Sequence, residues 1–299
     1  MHHPAKKVLM IEPRFFISNP ETRADNSFQK DTSAIQDPEA EARKEFINLK
    51  ALLESHGINV LHYRQDDDRI TPDAIFPNNW FSTHPDGTMI LYPMKAGNRR
   101  LERRENLISL LKINYPHLID LSGLEKNNIF LEGTGSLVLD HRNRIAYACL
   151  SGRTNPEALK EWANQMHFRL IIFTAIDRNN TVIYHTNVVM TIGEKFAILC
   201  SEAIRDNIEK MAVLHSLRET GHDVVEITFS QMHQFCGNCL ELINNEGKNF
   251  LVMSTKAFIE FTDEQKRTIE KHAHLLHSDV NTIETLGGGG VRCMLAELF

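Results

Sequence analysis

Three side chains far apart in the chain could together break a carbon–nitrogen bond: Cys293, His185 and Glu132. Cys293 follows four consecutive glycines, residues 287–290, six positions before Phe299. Glycines leave no side chain around the backbone and let a ligand approach closely, so the thiol has open access on one side. On that segment alone, a flexible linker before a buried structural cysteine is the competing reading. A free thiol has a pKa of about 8.5 and is weakly ionised at neutral pH. A nearby imidazolium or a cationic substrate raises the thiolate fraction. His185 would protonate a leaving amine and then activate water for the second half-reaction. Glu132 would hold an N–H-rich substrate by accepting its hydrogen bonds. Singly, His185 also reads as a satisfied core histidine and Glu132 as a helix-facing carboxylate. Their places in a repeat favour chemistry.

Apolar, β-branched runs flank turn residues four times: 80–83 with 89–93, 136–139 with 145–149, 187–192 with 196–200, and 239–243 with 250–253. That is the hairpin pattern. After each comes a helix-like stretch, at 101–111, 156–166, 204–217 and 263–275, with Asn155 and Pro156 suited to a helix start. Short strands follow at 118–121, 170–173 and 224–227, with a fourth expected at 282–285. Asn79, Gly133, Thr186 and Asn238, just before the hairpins, recur at intervals of roughly 50 residues, and one more interval reaches Cys293. The fifth hairpin then needs the N-terminal strand 7–12, completed by helix 40–55 and strand 59–63. Five units close into a ring sewn shut by the two ends of the chain. The residues leading into the first strands then converge on one central channel, as an active site requires.

Composition narrows the class. Net charge is −6 with no basic block, so nucleic acid is excluded as a partner. No apolar stretch approaches the roughly 20 residues that span a bilayer, and the N-terminus carries no signal-peptide pattern. Five scattered cysteines argue against a disulfide framework and for a reducing, cytoplasmic setting. The 299 residues could form two average domains or one large α/β domain, and the ring favours a single domain over 1–299. The composition leaves self-association into a homo-oligomer open.

The segments Phe76-Pro77-Asn78-Asn79-Trp80, Leu131-Glu132-Gly133-Thr134-Gly135, Leu150-Ser151-Gly152-Arg153-Thr154-Asn155, Tyr184-His185-Thr186-Asn187 and the run from Gly287 to Met294 carry a family resemblance. They resemble the signature segments of the guanidino-group modifying superfamily, which contains arginine deiminases, dimethylarginine dimethylaminohydrolases and amidinotransferases. The resemblance implies a five-bladed α/β propeller (pentein) with a central active-site channel. It implies a cysteine nucleophile forming a covalent adduct with an amidino or ureido carbon, and no metal or organic cofactor. Cys293 is then the nucleophile, His185 the acid/base and Glu132 the substrate-binding carboxylate. Arg153 resembles the arginine that grips a substrate α-carboxylate, a task suited to bidentate pairing. Arg99 and Arg100 sit where relatives place another such arginine, and Arg100 is taken for the role. Asn238 is expected to face the substrate.

Two departures bear on the substrate. Arginine deiminases place aspartates where this chain has Asn79 and Asn187. A guanidinium offers only donors and suits carboxylates, whereas a neutral ureido group suits amides. The expected substrate is therefore a small amino acid of the citrulline type, with arginine or methylarginine hydrolysis, or amidino transfer, as the alternatives. Cys236 and Cys239 form a CxxC, for which a structural role at the channel wall is favoured over zinc or redox chemistry. The long polar loop 19–36 reads as a lid or as a disordered segment.

Overall fold

The computed structural model describes residues 4–31 and 34–299. Two residues of the expected lid, Thr32 and Ser33, lie outside the described residues. Five three-stranded sheets repeat one pattern, in which a central strand pairs antiparallel with the first strand and parallel with the third. Four sheets are consecutive in sequence: Phe81–Thr83, Thr88–Leu91 and His117–Asp120; Leu137–Asp140, Ile145–Cys149 and Arg169–Phe173; Met190–Ile192, Phe196–Leu199 and Asp223–Glu226; Leu240–Ile243, Asn249–Ser254 and His274–Ser278. The fifth joins the ends of the chain. Ala296–Leu298 runs antiparallel to Lys7–Ile11, with Val8 opposite Glu297, and Lys7–Ile11 runs parallel to Asn59–Tyr63. The expected ring closure is thus present.

Central strands such as Ile145–Cys149 are buried along their length and apolar throughout, as strands covered on both faces must be. Parallel pairing demands a crossover, and the helices Pro38–Ser55, Glu105–Lys112, Pro156–Met166, Asn207–Glu219 and Asp263–Glu270 supply it. First strands face inward. Leu137–Asp140 packs on Met190–Ile192, which packs on Leu240–Ile243, and Thr83 Oγ1 donates to the Glu297 carbonyl at 2.8 Å. Among the described residues no helix is long and apolar enough to cross a membrane.

Several elements differ from expectation. The helix expected over 101–111 starts at Glu105, because Arg104 is drawn out of helical geometry to bond Asp67 and Gln65. The helix expected over 204–217 starts at Asn207, where Asp206 caps the amides of Ile208 and Glu209. The stretch 263–275 divides: the helix ends at Glu270, and His274–Ser278 is the third strand of its sheet. The expected strand 282–285 is instead part of the helix Asn281–Gly287.

That last helix lies against Pro38–Ser55, whose Glu45 carboxylate accepts the amides of Thr282 at 2.7 Å and Ile283 at 3.0 Å. Glu45 takes the part of an N-cap from another element, and the glycine run follows directly. Glu45→Ala should strand two buried donors and cost about 1–3 kcal/mol. A thermal melt should fall by several degrees, with Glu45→Gln losing less; an unchanged melting point for Glu45→Ala would show that the cap is idle.

Candidate active site

Four of the five lead-ins to the first strands are short helical turns rather than strand, and Asn238 follows a non-helical turn. Asn79 ends the turn Pro77–Asn79, Glu132 and His185 precede the turns Gly133–Ser136 and Thr186–Val189, and Cys293 lies within Val291–Met294. Cys293 therefore sits on a helical turn, not on the strand-like run its apolar neighbours suggested. These turns pack on one another around the axis. All five polar lead-ins are buried, Glu132 and Asn238 completely.

His185 Nε2 lies 2.9 Å from Glu132 Oε2. The other carboxylate oxygen, Oε1, accepts the Lys95 amide at 3.1 Å, and Arg153 Nη1 lies 3.5 Å from Oε2. Burial opposes ionisation of Glu132, but Arg153 and the bond from His185 outweigh it and hold the carboxyl well below its usual range. An ionised carboxylate only accepts, so Nε2 carries the imidazole proton and Nδ1 presents a lone pair. Gly135 makes room for that edge: a methyl there would meet Asn79 Nδ2 and come within 2.7 Å of His185 Nδ1. Burial lowers the His185 pKa, against the pull of Glu132, so the ring is neutral at pH 7. Glu132 is thus engaged with His185 and Arg153, and orienting the imidazole is the task its contacts define.

Asn187 and Asn238, expected to face substrate, bond Cys293. Their Nδ2 groups lie 3.5 and 3.3 Å from Cys293 Sγ. Asn238 Oδ1 accepts the Arg292 amide at 3.1 Å, which fixes that side chain's orientation. Burial pushes the Cys293 thiol up, while the Asn238 bond, the Arg292 charge and the Asn187 bond pull it down. The two amides favour the thiolate once it forms.

Cys293 and His185 line one cavity with Asn79, Asp73, Arg99 and Tyr184, only about 10 Å³ in volume. Arg99, not Arg100, reaches it. Arg100 turns away to the carbonyls of Met94 and Lys95, at 3.0 and 3.1 Å, leaving it no part in the cavity wall. Arg99 is held by Glu102 at 2.9 Å and donates to Asn79 Oδ1 at 2.7 Å. Arg153 lines the cavity, but its guanidinium is clasped by Asp25, which also meets Lys95 Nζ at 2.6 Å. Its expected carboxylate site is therefore filled by the chain's own aspartate.

Sequence reasoning passed over Asp73. Its Oδ2 accepts Asn19 Nδ2 at 2.8 Å and Thr22 Oγ1 at 3.0 Å, while the buried Oδ1 has no partner. In Thr71-Pro72-Asp73 it passes for a turn residue, and its place three residues before Phe76 was the available signal. Residues 19–29 form a packed strap over the cavity. Asn26 and Tyr184 both donate to the Gly288 carbonyl. Gly288 has φ +64°, and a Cβ there would come 2.6 Å from Asn26 Nδ2. Cys236 and Cys239 approach the Ala257 and Cys236 carbonyls at 3.5 and 3.3 Å, with burial raising both thiols.

Five such units closed into a ring fit the fold of the guanidino-group modifying superfamily. Within it, the profile of the family described as N,N dimethylarginine dimethylhydrolase, eukaryotic, matches residues 12–299, and the chain belongs to that family, whose members hydrolyse carbon–nitrogen bonds other than peptide bonds. No curated protein matches the chain in sequence. Among solved structures, the N-terminal domain of a cyanobacterial ArgZ variant, covalently bound to a reaction intermediate, aligns at TM-score 0.74 and 13% identity, over 98% of this chain and 97% of that one. An AgrE variant with L-arginine aligns at 0.77 and 14%, over 98% and 40%. A dimethylarginine dimethylaminohydrolase adduct with S-methyl-L-thiocitrulline aligns at 0.68 and 12%, over 98% and 100%. These likenesses establish the fold.

Two outcomes test the site. With the His185 pKa lowered and the Cys293 pKa raised, kcat/KM should be flat through neutral pH, its acid limb below the ordinary histidine value of about 6.5; an acid limb above pH 7 would contradict the assignment. Hydrogen bonds to charged groups contribute about 1.5–3 kcal/mol, so Asp25→Ala should loosen the strap and speed alkylation of Cys293 by iodoacetamide roughly tenfold or more.

Proposed function

We propose that the protein hydrolyses a C–N bond of a ureido amino acid of the citrulline type through a covalent adduct on Cys293, with residues 1–299 acting as one catalytic domain. The orientation of Asn79 carries this reading. Its Oδ1 is taken by Arg99 at 2.7 Å, so the amide cannot be turned round, and its buried Nδ2 is a donor without a partner. In the same cavity, Asp73 Oδ1 is an acceptor without a partner. A ureido group complements both, its carbonyl accepting and its N–H groups donating. A guanidinium offers donors only and leaves Asn79 Nδ2 stranded, at a cost of about 1–3 kcal/mol.

The chemistry follows from the resting protonation states. His185 Nδ1 takes the Cys293 proton as the sulfur adds to the ureido carbon, and the Asn187 and Asn238 amides stabilise the developing thiolate. Asn79 Nδ2 donates to the oxygen on which negative charge collects. His185 returns the proton to the departing nitrogen as the C–N bond breaks. Water then gives a proton to His185 and adds to the adduct carbon; the C–S bond breaks, the thiol regains its proton, and the carbamic acid released loses carbon dioxide to leave the free amine.

A second reading, hydrolysis of arginine or a methylarginine, is favoured by the free carboxylate oxygen of Asp73 and by the family's description. Incubation with citrulline, arginine, dimethylarginine and agmatine, scored for ammonia, methylamines and amino-acid products, separates the two. Ammonia with ornithine from citrulline is the expected result; citrulline formed from arginine or dimethylarginine, with citrulline itself inert, would replace it with the second reading. Asn79→Asp should lower citrulline turnover by about 10²–10³-fold, as loss of an oxyanion donor does, and improve arginine binding; full citrulline turnover in that variant would remove Asn79 from the mechanism.

A further inference from the structure

On the far side of Cys293 the axis of the ring is hollow. One cavity of about 30 Å³ is bounded by Asn187 and Arg292 at its inner end. A second, of about 70 Å³, lies at the outer ends of the first strands, beside Pro4 and Phe299. They share Leu139, His141, Ile192, Leu240 and Glu297, and so adjoin as two sections of a shaft divided by those side chains. A water-sized molecule needs roughly 10–15 Å³ of such space, so the inner cavity holds about two and the outer about five.

Asn187 separates this shaft from the catalytic cavity. Its Nδ2 is on Cys293 Sγ at 3.5 Å, while its Oδ1 is buried without a protein partner. One side chain thus ends on the nucleophile and also lines the shaft. The outer cavity is acidic: Asp140, Glu194, Glu241 and Glu297 line it, against Arg142. Some of that charge is committed, Glu297 to Arg292 at 2.9 Å, Glu241 to the Glu194 amide at 2.5 Å and Asn249 at 2.9 Å, and Asp140 to Asn143 at 2.8 Å. Glu194 adds a further carboxylate at the mouth.

We propose that this shaft is the route by which ammonia leaves Cys293 and hydrolytic water reaches it, with rotation of Asn187 as the gate and the carboxylate-lined mouth collecting ammonium. The proposal rests on the hydrolase reading above. Each turnover frees one small nitrogen product and consumes water, yet the catalytic cavity has room for about one water beneath the strap. A bound substrate fills that space and blocks the front. Ammonia is the size of water and fits the shaft, and on protonation by solvent it becomes a cation suited to the acidic mouth.

The test narrows the shared section with Ile192→Trp and, separately, Leu139→Trp, both outside the catalytic set. Expected is a fall in kcat of about tenfold, as product release and water access become limiting, with KM, melting temperature and the iodoacetamide rate at Cys293 held near wild type. Wild-type kcat in both folded variants would overturn the route. A readout independent of turnover is anomalous scattering from crystals soaked in rubidium chloride, an ammonium-sized cation. Peaks at the carboxylate-lined mouth are expected, and a mouth empty of rubidium would refute its collection of ammonium. Rubidium at the mouth of an enzyme inert to every ureido and guanidino substrate would support the cation-collecting mouth while removing the hydrolase reading.

Discussion

The antiparallel pairing of Ala296–Leu298 with Lys7–Ile11 is the constraint on which the molecule depends. Every other first strand is joined to its central strand by a short local turn. This one is recruited from nearly 290 positions away. It turns a row of four units into a ring, and it fixes the turn that carries Cys293 two residues upstream. With the ring closed, lead-ins from different units face one another across the axis.

Burial then sets the chemistry. Charged groups removed from water persist only when paired, and the axis holds a chain of such pairs: Glu102 with Arg99, Glu132 with His185 and Arg153, Arg153 with Asp25, Asp25 with Lys95. Within this frame Cys293 and His185 rest neutral, the thiol raised and the imidazole lowered by the same loss of solvent. A neutral pair is a low-cost resting state in a dry cavity, and its polar partners are arranged for the charge that appears during reaction. The unpartnered atoms Asp73 Oδ1, Asn79 Nδ2 and Asn187 Oδ1 are buried at the axis, where burial without a partner is costly.

The ring was legible because its signals are local and repeated: alternating apolar runs, turn residues and amphipathic stretches at a constant spacing. The third strand of the fourth unit was not, since His274–Ser278 carries two histidines and follows a helix without a glycine or proline break. Thr282 and Thr285 mimic a β-branched strand, and only the distant Glu45 carboxylate shows that the segment is helical. The same limit applies at the site. Cys293, His185 and Glu132 could be gathered from the repeat, but partners could not. Whether Arg99 or Arg100 faces inward depends on a turn of one residue. That Asp25 occupies Arg153 depends on a loop folding back across 128 positions. Asp73 lies in a turn whose composition conceals its burial.

The distribution of Glu132, His185 and Cys293 over separate units also governs when they first meet. During synthesis the units emerge in order, and the segment bearing the thiol comes after Glu132 and His185 are already made. A partial ring holds the His185–Glu132 pair without Cys293. The strand that closes the ring brings Cys293 with it in one step, so Cys293 first faces His185 in a molecule whose ring is closed.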